Sequence, residues 1–213
     1  MKLYGYWRST AAYRVRIALH LKGIEFESVP VHLVKNGGEQ HLKQFSTLNP
    51  NQLVPCLLDG EFTLNQSLAI IDYLEDVSPQ VALYPEDKQL KAQVKALALD
   101  IACEIHPLNN LRVQQYLTAD LGLSDEKKHD WVNYWMTKGF SAIEQQLQKN
   151  SGLYCFGDKV TVADICLVAQ VYNAVRFNVD MSEYTLINAI VQRCNELPAF
   201  DKAKPENQAD AVV

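Results

Sequence analysis

Over the first 80 residues the apolar positions switch repeatedly between period two and period three to four. Leu3 to Tyr6 is a short aromatic and apolar run. Ser9 and Thr10 then bring hydroxyls ahead of Tyr13 to Lys22, where Val15, Ala18, Leu19 and Lys22 share one face and Gly23 can end the turn, so strand, cap and helix follow in order. Glu25 to Val31 reads as a second strand, and Gly37-Gly38 precedes a short helical stretch ending near Phe45. Leu53 to Leu58 and Phe62 to Leu64 flank Asp59-Gly60, a dipeptide that favours the positive φ angles of a tight hairpin. Leu68, Ile71 and Leu74 mark a helix opened by Asn65 or Ser67 and closed at Ser78-Pro79. The predicted order is βαβαββα.

Beyond Pro85 only the helical period remains, which sets a boundary between a mixed domain at 1–80 and an all-helical domain at 86–213. Lys88 to about Leu117 carries Leu90, Val94, Leu97, Ile101 and Ile105 at spacings of three and four, with Pro107 placed to bend or interrupt it. Trp131, Trp135 and Ile143 mark a second long helix. Thr161-Val162-Ala163-Asp164 fits a capping box with Val160 and Ile165 as its staple, so a third helix starts at Val162. Ile165 to Val175 has no charge and predicts a helix buried at the centre of its domain. Leu186 to Leu197 is the last helix, and the polar tail from Asp201 is expected to be loose.

Composition narrows the function. Apolar residues at 48% and charged ones at 21% exclude a disordered or low-complexity chain. Twenty Lys and Arg against 25 Asp and Glu leave a net charge of -5, the wrong sign for neutralising phosphates, so no nucleic-acid partner is expected. The longest uncharged run, Gln44 to Leu58, contains Asn49, Pro50, Asn51 and Gln52 and falls short of the roughly 20 apolar residues of a membrane span. Arg8 stands where a secretion signal has its apolar stretch, so a cytoplasmic location is expected. Cys56, Cys103, Cys155, Cys166 and Cys194 are odd in number and widely spaced, which suits reduced thiols. Cys103 and His106, three apart, are too few to hold zinc, and no metal is expected.

Three places could carry chemistry. Val54-Pro55 sits inside a strand, where proline removes a ladder donor; a cis bond there would turn the Val54 amide and carbonyl outward to pair with an extended peptide, and an edge strand that tolerates proline is the plain alternative. Gln66-Ser67 opens a helix whose free amides suit a carboxylate, or else Ser67 is an ordinary cap. Ser9 and Thr10, between the first strand and helix, would meet a docked thiolate with a hydroxyl and the positive helix end, which lowers a thiol pKa; plain capping is again the alternative.

Taken together these segments resemble a known family. Arg8-Ser9-Thr10-Ala11-Ala12-Tyr13-Arg14-Val15-Arg16-Ile17-Ala18-Leu19 is similar to the Ser-Ser-Cys-x-Trp-Arg-Val-Arg-Ile-Ala-Leu signature of zeta-class glutathione transferases. Leu48-Asn49-Pro50, Val54-Pro55, Gln66-Ser67-Leu68-Ala69-Ile70 and Gly157-Asp158 to Asp164 fit the same family, so the likeness spans nearly the whole chain. It implies a thioredoxin-like α/β N-terminal domain, an all-α C-terminal domain, glutathione as cofactor and a homodimer. Residue by residue it makes Ser9 the donor to the thiolate with Thr10 beside it, Val54 the partner of the cysteinyl backbone, Gln66 and Ser67 the holders of the γ-glutamyl end, and Gln40 a glutathione contact. His106, Asn110 and Arg112 fall on the stretch of the first long helix that faces the family's active cleft, and Arg176 matches an arginine directed there. The chain departs from the signature at Ala11 for cysteine and Tyr13 for tryptophan, and from the animal enzymes at His106 and Arg112.

The family's usual reaction is isomerisation of maleylacetoacetate, with maleylpyruvate as substrate in some bacterial relatives. The expected mechanism adds glutathione thiolate to the conjugated cis double bond, allows rotation and expels the thiolate from the trans product. Arg8, Arg112 and Arg176 would face the small dicarboxylate substrate and its enolate. General conjugation or dehalogenation of small electrophiles, and a non-catalytic binding role, are the competing expectations.

Overall fold

The computed structural model describes residues 1–212. The chain forms two compact units, Met1–Leu83 together with the segment from Glu196 onward, and Tyr84–Asn195. In the first, β1 (Lys2–Gly5), α1 (Thr10–Leu21), β2 (Glu27–Pro30), α2 (Lys43–Leu48), β3 (Cys56–Asp59), β4 (Phe62–Asn65) and α3 (Ser67–Val77) follow the predicted βαβαββα order. The sheet order is β2-β1-β3-β4. β1 runs parallel to β2, with Leu3 beside Ser28, and antiparallel to β3, with Tyr4 opposite Cys56. The β3–β4 hairpin turns at Asp59-Gly60 as the dipeptide predicts, with Gly60 at φ 60°. This is the expected thioredoxin-like arrangement.

α1 holds together because nearly every face of it is covered. Ala12, Val15, Ile17, Ala18 and Leu19 are fully buried, and the helix packs against α3. Ser9 caps it, accepting from the Ala12 amide at 3.2 Å, and Gly23 at φ 65° ends it. One strand start differs from the sequence reading. β3 starts at Cys56, so Val54 and Pro55 lie ahead of the ladder rather than within it, because proline has no amide to give the neighbouring strand. α3 starts at Ser67, one of the two expected starts, with Gln66 in the capping position, so Ser67 is the first helical residue and not an ordinary cap.

The second unit is helical: α4 (Lys88–Leu99), α5 (Leu111–Gln115), α6 (Asp125–Asn150), α7 (Val162–Arg176) and α8 (Thr185–Asn195). Pro107 interrupts the first predicted long helix. Between α4 and α5 the chain loosens into a π-helical stretch at Asp100–Ile105 and a 3-10 turn at His106–Asn109, since Pro107 can donate no amide to the turn before it. α7 is the buried centre, with Ile165 to Ala169 at 2% exposure or less. Asp164 fixes its start by accepting from the Thr161 amide and hydroxyl, each at 2.8 Å, and from the Cys155 amide at 2.7 Å. Burial pushes the Asp164 carboxyl above the usual carboxylate range despite these donors.

The tail is ordered against the sequence expectation. After α8 the chain makes α9 (Pro198–Ala203), which packs on α1 in the first unit, so residues the sequence assigned to the helical domain complete the mixed one. Phe200 and Ala203 are fully buried there, and that apolar pair outweighs the polar run around it. No helix among the described residues is long and apolar enough to cross a membrane.

Candidate active site

In the first unit, the turn from β1 into α1 carries Arg8, Ser9 and Thr10. The Ser9 amide closes this turn on the Tyr6 carbonyl at 2.9 Å, and its oxygen caps Ala12. Capping uses the oxygen as acceptor and leaves the hydroxyl hydrogen to donate. Ser9 is half-buried, whereas Thr10, the first helical residue, is 4% exposed. Of the two hydroxyls, Ser9 is the one a ligand can reach. α1 has no acidic residue in its first turn to oppose an anion. Arg8 is exposed, and its guanidinium lies 4.3 Å from the Trp7 ring centre, which leaves its N–H edge available to an anion.

Across the sheet, the Val54-Pro55 bond is cis, just before β3. Val54 itself is buried among Tyr6, Trp7, Val31, Phe45 and Cys56, so its backbone rather than its side chain is what it can offer a ligand. At α3, Gln66 takes a left-handed φ of 68°, is exposed, and makes no capping bond with its side chain. The first-turn amides of this eleven-residue helix are therefore not closed by a side-chain cap, the condition for holding a carboxylate. Ser67 is buried, and its hydroxyl accepts from the Arg14 guanidinium at 3.4 Å.

Gln40 lies in the turn before α2. Its amide nitrogen contacts the His41 ring at 3.0 Å and the Leu33 carbonyl at 3.4 Å, while the other His41 nitrogen meets Gln52 at 2.6 Å. With Nδ1–H donating to Gln52, the second ring nitrogen accepts from Gln40, and the chain of contacts fixes the amide's direction. The Gln40 Oε1 is buried with no protein partner among the described residues, a ready acceptor for a ligand N–H. Gly38 allows this, because a Cβ there would lie 2.5 Å from the Gln40 amide nitrogen.

In the second unit, His106 begins the 3-10 turn, and its ring nitrogen is 3.4 Å from the Asn110 amide. Asn110 caps α5 by accepting from the Arg112 amide at 3.2 Å, and Arg112 is exposed. Buried Asn109 anchors the turn. It donates to the Ile105 carbonyl, its carbonyl takes Gln114, and its side-chain oxygen takes Asn173 of α7, each at 2.7 Å. Arg176 follows Asn173 by three residues, exposed at the α7 C-terminus, with its guanidinium 4.7 Å from the Phe177 ring centre. The Asn109–Asn173 bond thus ties the end of α7 to the turn bearing His106 and Asn110. Gly139 of α6 makes room beneath it, since a Cβ there would lie 2.2 Å from the Ile105 side chain.

Sequence reasoning missed Arg14, Arg16, His41, Gln52, Asn109 and Asn173. For the two arginines a signal existed: charges within the otherwise apolar stretch Tyr13 to Leu19 must find partners if that helix is covered. Nothing in the sequence marks the asparagine pair, which is 64 residues apart. No thiol here replaces the missing cysteine at Ala11. Burial pushes Cys56 up to about 11 and raises Cys155 and Cys194 as well, so these stay protonated.

A hydroxyl at a helix start, a cis-proline edge and an uncapped helix on one thioredoxin-like sheet would suit a thiol-bearing peptide. The family descriptions for the glutathione S-transferase N-terminal and C-terminal domains match residues 1–76 and 111–202, and the chain belongs to this family, in its zeta class. It is 56% identical to a probable maleylacetoacetate isomerase of Vibrio cholerae over 98% of this chain and 97% of that one. A solved holo structure of a maleylpyruvate isomerase, described as a bacterial zeta-class glutathione transferase, superposes with a TM-score of 0.96 at 44% identity over the whole of both chains. A maleylacetoacetate isomerase from Methylobacterium extorquens, solved with malonate and glutathione bound, gives 0.96 at 38%, again over the whole of both.

Proposed function

We propose that this protein is a glutathione-dependent cis–trans isomerase of a maleyl dicarboxylate, maleylacetoacetate or maleylpyruvate. The observation that carries the reading is the full-length likeness to isomerases of both compounds, one of them solved with glutathione and a dicarboxylate together. The thiol-peptide features of the first unit support it. Ser9 donates to the glutathione sulfur, and the start of α1 adds favourable potential, with Thr10 shaping that start. Val54 pairs with the cysteinyl backbone as an added strand. Gln66, Ser67 and the open α3 amides hold the γ-glutamyl carboxylate, and the Gln40 amide takes a polar group of the peptide. His106, Asn110 and Arg112 extend this set, and Arg8, Arg112 and Arg176 serve the substrate carboxylates.

The reaction follows from these assignments. The thiolate adds to one carbon of the cis double bond, the π pair moves into the conjugated carbonyl, and an enolate forms. Rotation about the new single bond follows. The enolate pair then returns, the C–S bond breaks, and the trans product leaves with glutathione regenerated. Guanidinium groups stabilise the enolate and both carboxylates, which suits planar two-point donors. Cytoplasmic residence and a homodimer belong to the same proposal. Assays with both maleyl compounds, with and without glutathione, test the function: activity toward neither would contradict it.

A further inference from the structure

The turn that presents Ser9 is held from outside the binding features. Tyr6, Trp7, Arg8 and Ser9 form a four-residue turn closed by the Ser9 amide on the Tyr6 carbonyl, so Trp7 and Arg8 are its central residues. In such a turn the central peptide can rotate between two arrangements unless something fixes it. Here both backbone groups of Trp7 are engaged. Its carbonyl accepts from the Arg16 Nη2 at 3.0 Å, and its amide donates to the Asp210 carboxylate at 3.1 Å. The Arg16 Nε donates at the same time to the Ala203 carbonyl at the end of α9, also at 3.0 Å, and Arg16 is 3% exposed. The tail between these anchors is itself tied down. The Gln208 amide donates to the Lys202 and Lys204 carbonyls, Asn207 donates to the Asp201 carbonyl, and Ala211 packs on the cluster containing Tyr6 and Trp7.

We propose that Arg16 and the C-terminal segment form a clasp on this turn, with Arg16 and Asp210 as positioning residues for Arg8 and Ser9. The proposal rests on the reading of Ser9 as donor to the glutathione sulfur. Holding the Trp7 carbonyl fixes the peptide leading into Arg8, and holding the Trp7 amide fixes the one before it. Ser9 then meets a docked sulfur without reordering. Neither residue need touch a ligand, so loosening the clasp affects alignment more than affinity.

Asp210 is the residue to test first, because it is half-buried and removing it leaves the buried Arg16 bridge in place. In D210A we expect the Ser9 amide to exchange with solvent about tenfold faster, and kcat at saturating glutathione to fall by up to about tenfold, with KM for glutathione within about twofold. D210N, whose amide oxygen accepts the same bond, should restore both values. R16K, which replaces the planar Nε and Nη2 fork with a single ammonium, should lower kcat further. Parental Ser9 exchange and kcat in D210A would overturn the clasp, as would a D210N as impaired as D210A. A parent enzyme that turned over without glutathione would instead remove the glutathione reading, and Ser9 exchange would still decide whether the clasp exists.

Discussion

In the first unit, what a bound peptide would meet is mostly backbone: the Val54 peptide beside a cis-proline, the open amides of α3, and the turn that lifts Ser9 to the head of α1. In the second unit the candidate groups are side chains at element ends: His106 and Asn110 around a 3-10 turn, Arg112 on a short helix, Arg176 where α7 stops. Backbone groups are set by the fold and survive side-chain change, which is how Ala11 can replace the family cysteine without disturbing the frame. Side-chain groups depend on packing behind them, here the buried Asn109–Asn173 bond. In the proposed reading most of the groups that would grip glutathione lie in the first unit, and exchanges at Arg112 and Arg176 in the second would tune the substrate.

Substitutions in each unit separate these two kinds of support. The largest effect is expected from Asp164→Ala, which strips the acceptor from two buried amides, Cys155 and Thr161, and should cost about 3 kcal/mol or more. Urea unfolding should show the loss, while folded variant keeps its KM for glutathione; a raised KM would show that the second unit's core also shapes the cofactor side. Ser9→Ala comes next. Losing one charge-assisted hydrogen bond of about 1.5 to 3 kcal/mol should raise the bound thiol pKa and cut turnover about tenfold or more, read by thiolate absorbance. An unchanged thiolate fraction would move the role to Thr10 or a backbone amide.

Ser67→Ala should do the reverse, weakening glutathione binding by about 1 kcal/mol with kcat at saturation little altered, because its contacts are the same throughout the reaction. Arg176→Lys should raise KM for the maleyl dianion severalfold and leave conjugation of an uncharged aromatic electrophile unchanged. Equal losses for both substrates, or a lower Tm with no change in KM, would return Arg176 to a partner of the α7 dipole and the Phe177 ring. The smallest effect lies at His20, whose pKa is lowered by burial first and then by Lys202 of α9 and Arg16. The folded state refuses a proton that the unfolded state accepts near pH 6.5, so stability is full above that pH and falls as the pH drops toward the folded value. His20→Gln should flatten this acid limb of the stability curve.

The order of elements was legible because each boundary carries its own chemistry: in the first unit the Ser9 cap, Gly23 and Asp59-Gly60, and in the second the capping box at Thr161, all act locally. The open start of α3 was legible at Gln66-Ser67, whereas the left-handed backbone of Gln66 has no sequence mark. The order of the tail was not legible at all. It depends on Arg16, Asp210 and the burial of Phe200, with hydrogen bonds spanning 187 and 203 positions. The same holds for the loosened backbone after α4, where Pro107 signals an interruption but not the π and 3-10 geometry that Asn109 stabilises.

A true cofactor emerges from each turnover unchanged, so a thiol count during turnover decides whether glutathione is one. With maleylacetoacetate or maleylpyruvate in large excess over glutathione, the account predicts complete conversion to the trans isomer with the free-thiol titre unchanged at the end. Loss of one thiol per product formed, or conversion at the same rate without glutathione, would contradict it.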